Sequence, residues 1–399
     1  MLRTSQPRIA IIGAGIGGLA VAAALTRAGI GCEVFEQASY LAEVGAGIQL
    51  APNAVRLLHR LGLRRHLTSV GVRPDAIHLR HWDDGRTIAR TPLADCETVF
   101  GAPYYAVHRA DLHRGLLELL PPGTVRLGLR CEAIEEHDDG VELTLSGGRV
   151  CRAALVIGAD GIHSVVRAAL ADDRPRFSGQ LIYRGLVAAE KVPFLVEEPA
   201  VRLWLGPGQH CVSYPVSGGR QVSFGATRQT ETGGDESWSA QGEIADVREA
   251  YQGWHPEVRK LFDAADTVGR WALHDRDTIS RWSTSRLTLV GDAAHPMLPF
   301  LAQGANQAVE DAIVLALCLQ QHGLDDIETA LDRYQQLRVP RTTEVHTRSR
   351  ANTRTLHLDD GPDQSERDTT LGGGSALAAQ EWLYGYDAES AVTVRAKID

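Results

Sequence analysis

The chain of 399 residues is poor in lysine: only Lys191, Lys260 and Lys397 are present, so nearly all of its 41 basic residues are arginines. It holds two methionines and six cysteines, and no two cysteines form a C-x-x-C pair. That spacing gives no support to zinc sites or dithiol redox centres. Cys32, Cys96, Cys131, Cys151, Cys211 and Cys318 are scattered, as reduced and buried thiols of a large cytosolic enzyme would be. No run of about 20 apolar residues occurs, so no membrane span is expected. The short polar stretch Met1–Arg8 predicts no signal peptide. Positive charge is in deficit as well: 50 acidic residues leave a net charge of −9, which argues against nucleic acid as a partner. The arginine excess reads as compositional bias rather than as a phosphate-binding device. No repeat of 20–50 residues is found. What is abundant is apolar side chain, 44% of the chain, enough for a large core in two or three domains or one large mixed one.

Residues 8–13 (Arg-Ile-Ala-Ile-Ile-Gly) read as a buried parallel strand. Residues 17–29 read as an Ala- and Leu-rich helix stopped by Gly29, and Cys32–Glu36 as a second strand. Val141–Leu145 alternates and runs into Ser146-Gly147-Gly148, a hairpin signature. Leu155–Gly158 is another buried strand. From about 178 to 280, short apolar runs alternate with turns at Gly206-Pro207-Gly208, Ser217-Gly218-Gly219 and Gly233-Gly234, the pattern of an inserted antiparallel sheet. Leu287–Gly291 restores a buried strand and Asn306–Gln320 a helix. Residues 359–375 are polar and Gly-rich and are expected to form a loop.

Gly13-Ala14-Gly15-Ile16-Gly17-Gly18 fits G-x-G-x-x-G between the first strand and the first helix. In that setting Gly13 permits the tight turn, Gly15 lets backbone approach a pyrophosphate, and Gly18 permits close helix–strand packing. The helix start supplies free N–H groups. Glu36, 18 residues after Gly18, can accept both ribose hydroxyls. A bare glycine pattern is weak; this context makes it an adenine dinucleotide cradle. Two further turns follow strands: Gly158-Ala159-Asp160-Gly161-Ile162-His163-Ser164-Val165-Val166-Arg167, and Gly291-Asp292-Ala293-Ala294-His295 leading to Pro299, Gln303-Gly304-Ala305-Asn306 and Glu310-Asp311-Ala312. Carboxylates buried in such turns need hydroxyl or N–H partners, which a ribityl chain would provide. A helix starting near Gly304 would aim its N-terminal dipole at a reduced, negatively charged flavin ring.

The three motifs in this order resemble those of the group A flavoprotein monooxygenases, from Arg8 to about Asp387. Val44-Gly45-Ala46-Gly47-Ile48-Gln49 with Pro52-Asn53, Val107-His108-Arg109 with Leu112, Tyr183-Arg184-Gly185-Leu186 and Trp382-Leu383-Tyr384-Gly385-Tyr386-Asp387 are similar to the salicylate, 3-hydroxybenzoate and 6-hydroxynicotinate hydroxylase branch. The Gln49 stretch lacks a histidine that some hydroxynicotinate members use, which weakens that substrate. The resemblance implies an α/β fold: a Rossmann-like FAD-binding domain built from 1–177 and 281–399 with C-terminal helices, and an inserted, mainly antiparallel β-sheet substrate domain at 178–280. It implies FAD held by Gly13, Gly15, Gly18, Glu36, Gln49, Arg109, Arg130, Asp160, Asp292, Gly304 and Ala305, and NADH or NADPH as reductant. The reaction implied is hydroxylation of a small phenolic or N-heteroaromatic acid with dioxygen, through a flavin hydroperoxide. The rivals are a monooxygenase or epoxidase of larger natural-product intermediates and a non-catalytic nucleotide sensor. No W-x-W-x-I-P pattern supports a halogenase, and too few residues follow Asp387 for the thioredoxin-like domain of larger phenol hydroxylases. The expected setting is cytoplasmic, with no metal, no nucleic acid partner and no membrane span; a homodimer is left open.

At the substrate end a phenol reacts better as its phenolate, so a base beside its hydroxyl is useful. His210 opens the reading strand His210-Cys211-Val212-Ser213-Tyr214-Pro215, where period two puts His210, Val212 and Tyr214 on one face. The resemblance places the matching His and Tyr over the flavin; the alternative is a structural His with a core Tyr. Gln303 matches a position that approaches substrate in benzoate-type members. Arg184 reads either as a carboxylate clamp or as a strand arginine in a surface ion pair. Cys211 faces away and reads as core, His295 as packing beneath the flavin loop, and His163 as solvated.

Overall fold

The structure, a computed structural model, describes residues 8–41, 46–231, 241–373 and 377–393. Val44, Gly45 and the Gly233-Gly234 turn lie outside the described residues.

Ile9–Ile12 is a strand of four apolar residues, three of them β-branched, and all four are buried. A strand apolar on both faces suits the interior of a parallel sheet. It pairs in parallel with Glu33–Phe35 on one side and Leu155–Gly158 on the other. Leu287–Leu289 and Val125–Arg126 complete a five-stranded parallel sheet at its two edges. Helix Ile16–Arg27 packs on helix Gly304–His322, and both bury most of their apolar residues in the core around this sheet. The hairpin reading at 146–148 holds: Gly140–Leu145 pairs with Arg149–Ala153, and Gly147 and Gly148 take φ of 76° and 70°.

The second large sheet has eight strands. In order they are Gln241–Gly242, Val268–Asp275, Arg176–Ala188, Gln221–Gln229, Gln209–Val216, Val201–Gly206, Ala76–His81 and Thr87–Pro92. All its pairings are antiparallel except that of Val201–Gly206 with Ala76–His81. The sheet therefore draws two strands from far outside 178–280. One face is closed by helices Ile244–Ala250 and Pro256–Asp263. The latter buries Val258, Leu261 and Phe262 at helical spacing against Trp204, Cys211 and Phe224. The other face meets the loop before helix Gly304–His322: Leu205 clusters with Leu298 and Phe300, and Tyr214 with Met297 and Leu301.

The loop expected over 359–375 is corrected: Pro362–Gly373 is a helix. Pro362 suits a first helical turn. Arg367 donates to the Thr355 carbonyl, Gln364 is buried, and the helix packs on strand Thr87–Pro92. Tertiary contact overrides a polar, glycine-ended sequence. The chain is thus mixed α/β, with a parallel dinucleotide-type sheet, an antiparallel sheet and a helical C-terminal region. Among the described residues no helix is long and apolar enough to cross a membrane, and no cluster of residues could hold a metal ion.

Candidate active site

At the glycine turn the backbone is shaped by what each position can tolerate. Gly13 has φ +101°, and a Cβ there would lie 2.5 Å from the Ala159 carbonyl oxygen. A Cβ on Gly18 would lie 2.0 Å from the Gly13 oxygen, which is why helix and strand can touch. Gly15 differs: no atom lies within 4 Å of its would-be Cβ. It is the N-cap of helix Ile16–Arg27 and makes no side-chain hydrogen bond, so no side chain caps the first N–H groups from that position. Glu36 accepts the Ala14 N–H at 2.8 Å and the Ala38 N–H at 2.9 Å, one on each oxygen, leaving further lone pairs for a ribose. His113, which sequence reasoning missed, holds the Ala14 carbonyl at 2.7 Å through Nε2. An open turn, uncapped N–H groups and a fixed acid fit an adenosine diphosphate moiety.

The Asp160 turn is internally satisfied. Its carboxylate accepts from Ser164 Oγ at 2.5 Å and the Val165 N–H at 2.7 Å, capping the short helix Val165–Ala168. Burial raises its pKa, opposed by these hydrogen bonds. Arg167, fully buried, reaches from this motif to the carbonyls of Ala293 and Ala294 and to Asp173. It ties the second motif to the third.

In the third motif Asp292 lies beside the start of helix Gly304–His322: a Cβ on Gly304 would be 3.8 Å from its Oδ1. Burial raises the pKa of Asp292, countered by His295 and Arg109; burial lowers that of Arg109, countered by Asp292. Both side chains nonetheless expose much of their surface. Groups that are surrounded by protein and still reachable line a deep cleft. Gly304 and Ala305 begin the helix on that cleft. Under it sits a buried ionic cluster. Asp311 accepts from the Gly291 N–H at 2.9 Å, His295 Nε2 at 2.6 Å and Arg338 Nε at 2.7 Å. Glu310 takes Arg338, Arg341 and Asn53. His295 is therefore part of this support.

The remaining sequence candidates fall in three places. Gln49 accepts from Tyr104 Oη at 2.7 Å, and its amide also holds the Tyr214 hydroxyl. Gln303 turns inward: its Oε1 takes Asn53 and Gln307, both at 3.2 Å. Arg130 is exposed and its backbone is paired with Ser146.

The register of the eight-stranded sheet assembles the substrate side. Val212 pairs with Gly225, which pairs with Arg184, so these three share a face; two residues along, Tyr214 and Ser223 share it, and His210 shares it at the other end. Tyr214 is held by Gln49 and Ser223, and Ser223 Oγ accepts the Gly47 N–H at 2.8 Å. Between them Gly225 is closely covered: a Cβ there would lie 3.3 Å from Ile182 and 3.4 Å from Val212. Arg184 is enclosed, not in a surface ion pair. Burial lowers its pKa, and the groups acting on it are Tyr214 and, repulsively, Arg109. Trp271 lies under its guanidinium at 5.9 Å. His210 is 4% exposed; its Nδ1 meets His357 Nε2 at 2.8 Å, and its ring stands edge-on to Phe300. Cys211 faces the opposite cluster, as its alternation required.

Sequence comparison aligns with this geometry. The FAD binding domain family matches residues 7–349. The chain is 51% identical over 388 residues to a 3-amino-4-hydroxybenzoate 2-monooxygenase of Streptomyces platensis, spanning 97% of this chain and 98% of that protein. It is 36% identical over 390 residues to a 6-hydroxynicotinate 3-monooxygenase of Bordetella bronchiseptica, 96% of each. Among solved structures, a salicylate hydroxylase substrate complex superposes with a TM-score of 0.81 at 27% identity, over 98% of both chains.

Proposed function

The chain belongs to the FAD binding domain family and is an FAD-dependent aromatic-ring monooxygenase that uses NAD(P)H; from that premise we propose that its substrate is an aminohydroxybenzoate of the 3-amino-4-hydroxybenzoate type. The 51% identity over nearly the whole chain supports that ring pattern. The observation that carries the reading is the substrate face of the sheet, on which enclosed Arg184 and buried His210 both stand. Among the described residues no carboxylate acts on half-buried Arg184, and a substrate carboxylate would supply that partner. Arg184 and His210 stand two strand spacings and two residues apart, roughly 12 Å between backbones.

FAD, when bound, would supply the redox chemistry that passes electrons from NAD(P)H to dioxygen, one atom of which enters the ring while the other leaves as water. The chain's own residues bind, orient and ionise. Gly13, Gly15, Gly18 and Glu36 hold the adenosine diphosphate portion, and Arg109, Asp292, Gly304 and Ala305 line the path to the ring. Arg184 takes the carboxylate. His210 accepts the proton of the ring hydroxyl, whose ordinary pKa is about 10, and so raises the electron density of the carbon attacked. Tyr214, braced by Gln49 and Ser223, borders the ring. Gln303, turned inward, acts as a positioning residue for the loop. Dioxygen is the co-substrate and the cytoplasm the compartment.

The test is NAD(P)H oxidation with product identified by mass, using 3-amino-4-hydroxybenzoate, 6-hydroxynicotinate, 3-hydroxybenzoate, salicylate and 2-aminophenol. The aminohydroxybenzoate should give coupled hydroxylation and 2-aminophenol, which lacks the carboxylate, should not. Equal coupling with 2-aminophenol would sink the Arg184 assignment, and coupled turnover of another acid alone would sink the substrate. Arg184→Met should raise KM by the loss of a charged hydrogen bond, about 1.5–3 kcal/mol. His210→Ala should keep FAD and still be reduced, but lose hydroxylation by roughly a hundred- to ten-thousand-fold, with hydrogen peroxide released instead. Full coupling in that variant would return His210 to a structural role.

A further inference from the structure

We propose that His357 is a positioning residue for hydroxylation: it fixes the tautomer of His210, so that His210 presents Nε2 to the substrate hydroxyl as a bare acceptor. The inference rests on the reading of His210 as the group that takes the substrate's proton. It follows from counting protons along one chain of contacts. His357 Nδ1 lies 2.7 Å from the Thr353 carbonyl oxygen. A carbonyl has no hydrogen to give, so Nδ1 carries it. A neutral ring then has only a lone pair at Nε2. That Nε2 is 2.8 Å from His210 Nδ1, so His210 Nδ1 must be the donor. The hydrogen of His210 is thereby committed to Nδ1, and Nε2 is left as the acceptor. Thr227 Oγ1, 3.2 Å from each of the two facing nitrogens, can accept from His210 or donate to His357, and neither choice reverses the direction.

Both rings are neutral at pH 7. Burial pushes His357 down to about 4, and burial, with His357 second, holds His210 well below the ordinary histidine value. Around the pair, Thr227 comes from the neighbouring strand, Phe300 from the loop before helix Gly304–His322, and Tyr251 donates to the His210 backbone carbonyl at 2.7 Å. Among the described residues no carboxylate acts on either ring. When Nε2 of His210 receives the substrate proton, the Nδ1 proton can pass to His357 Nε2. His210 is then neutral and the positive charge stands on His357; the reverse transfers restore both rings. His357 is the C-cap of the 30-residue helix Ile327–Leu356, where the helix dipole favours a cation.

The test is nitrogen-15 NMR of histidine-labelled holoenzyme, assigned with His210→Gln and His357→Gln. Both rings should be Nδ1-protonated in the wild type, a measurement that needs no variant to fold. His357→Phe keeps the ring but offers no acceptor; it should release His210 to the Nε2-protonated form or a mixture. At pH 7 its coupling should fall at least tenfold and recover toward alkaline pH, as the substrate ionises unaided. His357→Gln, whose amide oxygen can accept from Nδ1, should keep the His210 tautomer and most of the coupling. An Nε2-protonated His210 in the wild type would overturn the proposal. So would a His357→Phe enzyme with unchanged tautomer and pH profile while His210→Ala is impaired. Full coupling in His210→Ala would instead overturn the base reading beneath it.

Discussion

Four glycines fall in one six-residue turn, and two of them, Gly15 and Gly18, meet surroundings that substitution separates. A side chain on Gly18 collides with the Gly13 carbonyl and so with the fold itself, whereas one on Gly15 meets no protein atom. Gly15→Val should therefore leave the apoprotein's unfolding free energy within about 0.5–1 kcal/mol of wild type, as a surface change does, and abolish flavin retention. Gly18→Ala should lower stability whether or not FAD is added. Apoprotein melting and bound flavin absorbance measure the two effects; a yellow, fully loaded Gly15→Val protein would show that the pyrophosphate lies elsewhere. The turn was legible in the sequence because its geometry is local: strand, glycines and acid lie within one β-α-β unit. His357 was not, because 147 residues separate it from His210 and a lone histidine at a helix end carries no local signal. Arg184 could be placed on a strand but not sorted between clamp and surface pair, since that depends on the register of strand Arg176–Ala188 in the sheet.

At the scale of elements, helix Gly304–His322 is the part on which the cleft depends, and buried charge holds it in place. Asp311 and Glu310 on its second turn clasp Arg338 from the neighbouring long helix, and all three are fully buried. Burial alone would raise the Asp311 pKa; His295, Arg338 and the Gly291 N–H outweigh it and hold the carboxyl down to about 2. The folded-state value lies below the unfolded one of about 3.9. The stabilisation is thus complete above pH 4 and lost as pH falls toward 2, by roughly 2–3 kcal/mol. Asp311→Asn should cost about 3–5 kcal/mol at neutral pH, because Arg338 keeps its charge and loses a partner. In urea unfolding, the gap to wild type should narrow between pH 4 and 2; a constant gap would mean that Asp311 is not ionised in the folded chain. Most parallel strands and the helix start were readable from apolar runs that end in glycine. The strands Ala76–His81 and Thr87–Pro92 were not, because they complete a sheet whose other strands come from Arg176 onward. The helix Pro362–Gly373 was misread for a related reason: what holds it is the strand it lies on, and its composition carries no trace of that.

Across the whole molecule, the C-terminal segment works as a clamp between the parallel-sheet unit and the substrate face. Arg341 donates to the carbonyls of Trp382 and Leu383 at 2.8 and 3.0 Å and to Glu310 of the ionic cluster, and its guanidinium lies over the Tyr386 ring at 4.3 Å. Arg56 reaches the Tyr386 carbonyl from the opposite side. Between these anchors Tyr384 is buried edge-on against Phe100 and packs on Tyr104. Tyr104 donates to Gln49, and Gln49 holds Tyr214 on the substrate face. A residue near the end of the chain is therefore two hydrogen bonds and one ring contact from the aromatic side chain assigned to the substrate. Tyr384→Ala should cost about 3–5 kcal/mol, the range for emptying a buried aromatic site, and should also loosen Tyr104. Tyr104→Phe keeps the packing and removes only the bond to Gln49, so it should cost about 1 kcal/mol. Both variants should retain FAD at low temperature, since neither touches the glycine turn or the Asp292 cleft, and both should release more hydrogen peroxide per NAD(P)H as Tyr214 loses its brace. Melting temperature, flavin content and peroxide yield separate the outcomes. A Tyr384→Ala enzyme that melts lower but stays fully coupled would show that the clamp supports stability alone, and that Gln49 holds Tyr214 without help from the C-terminal segment.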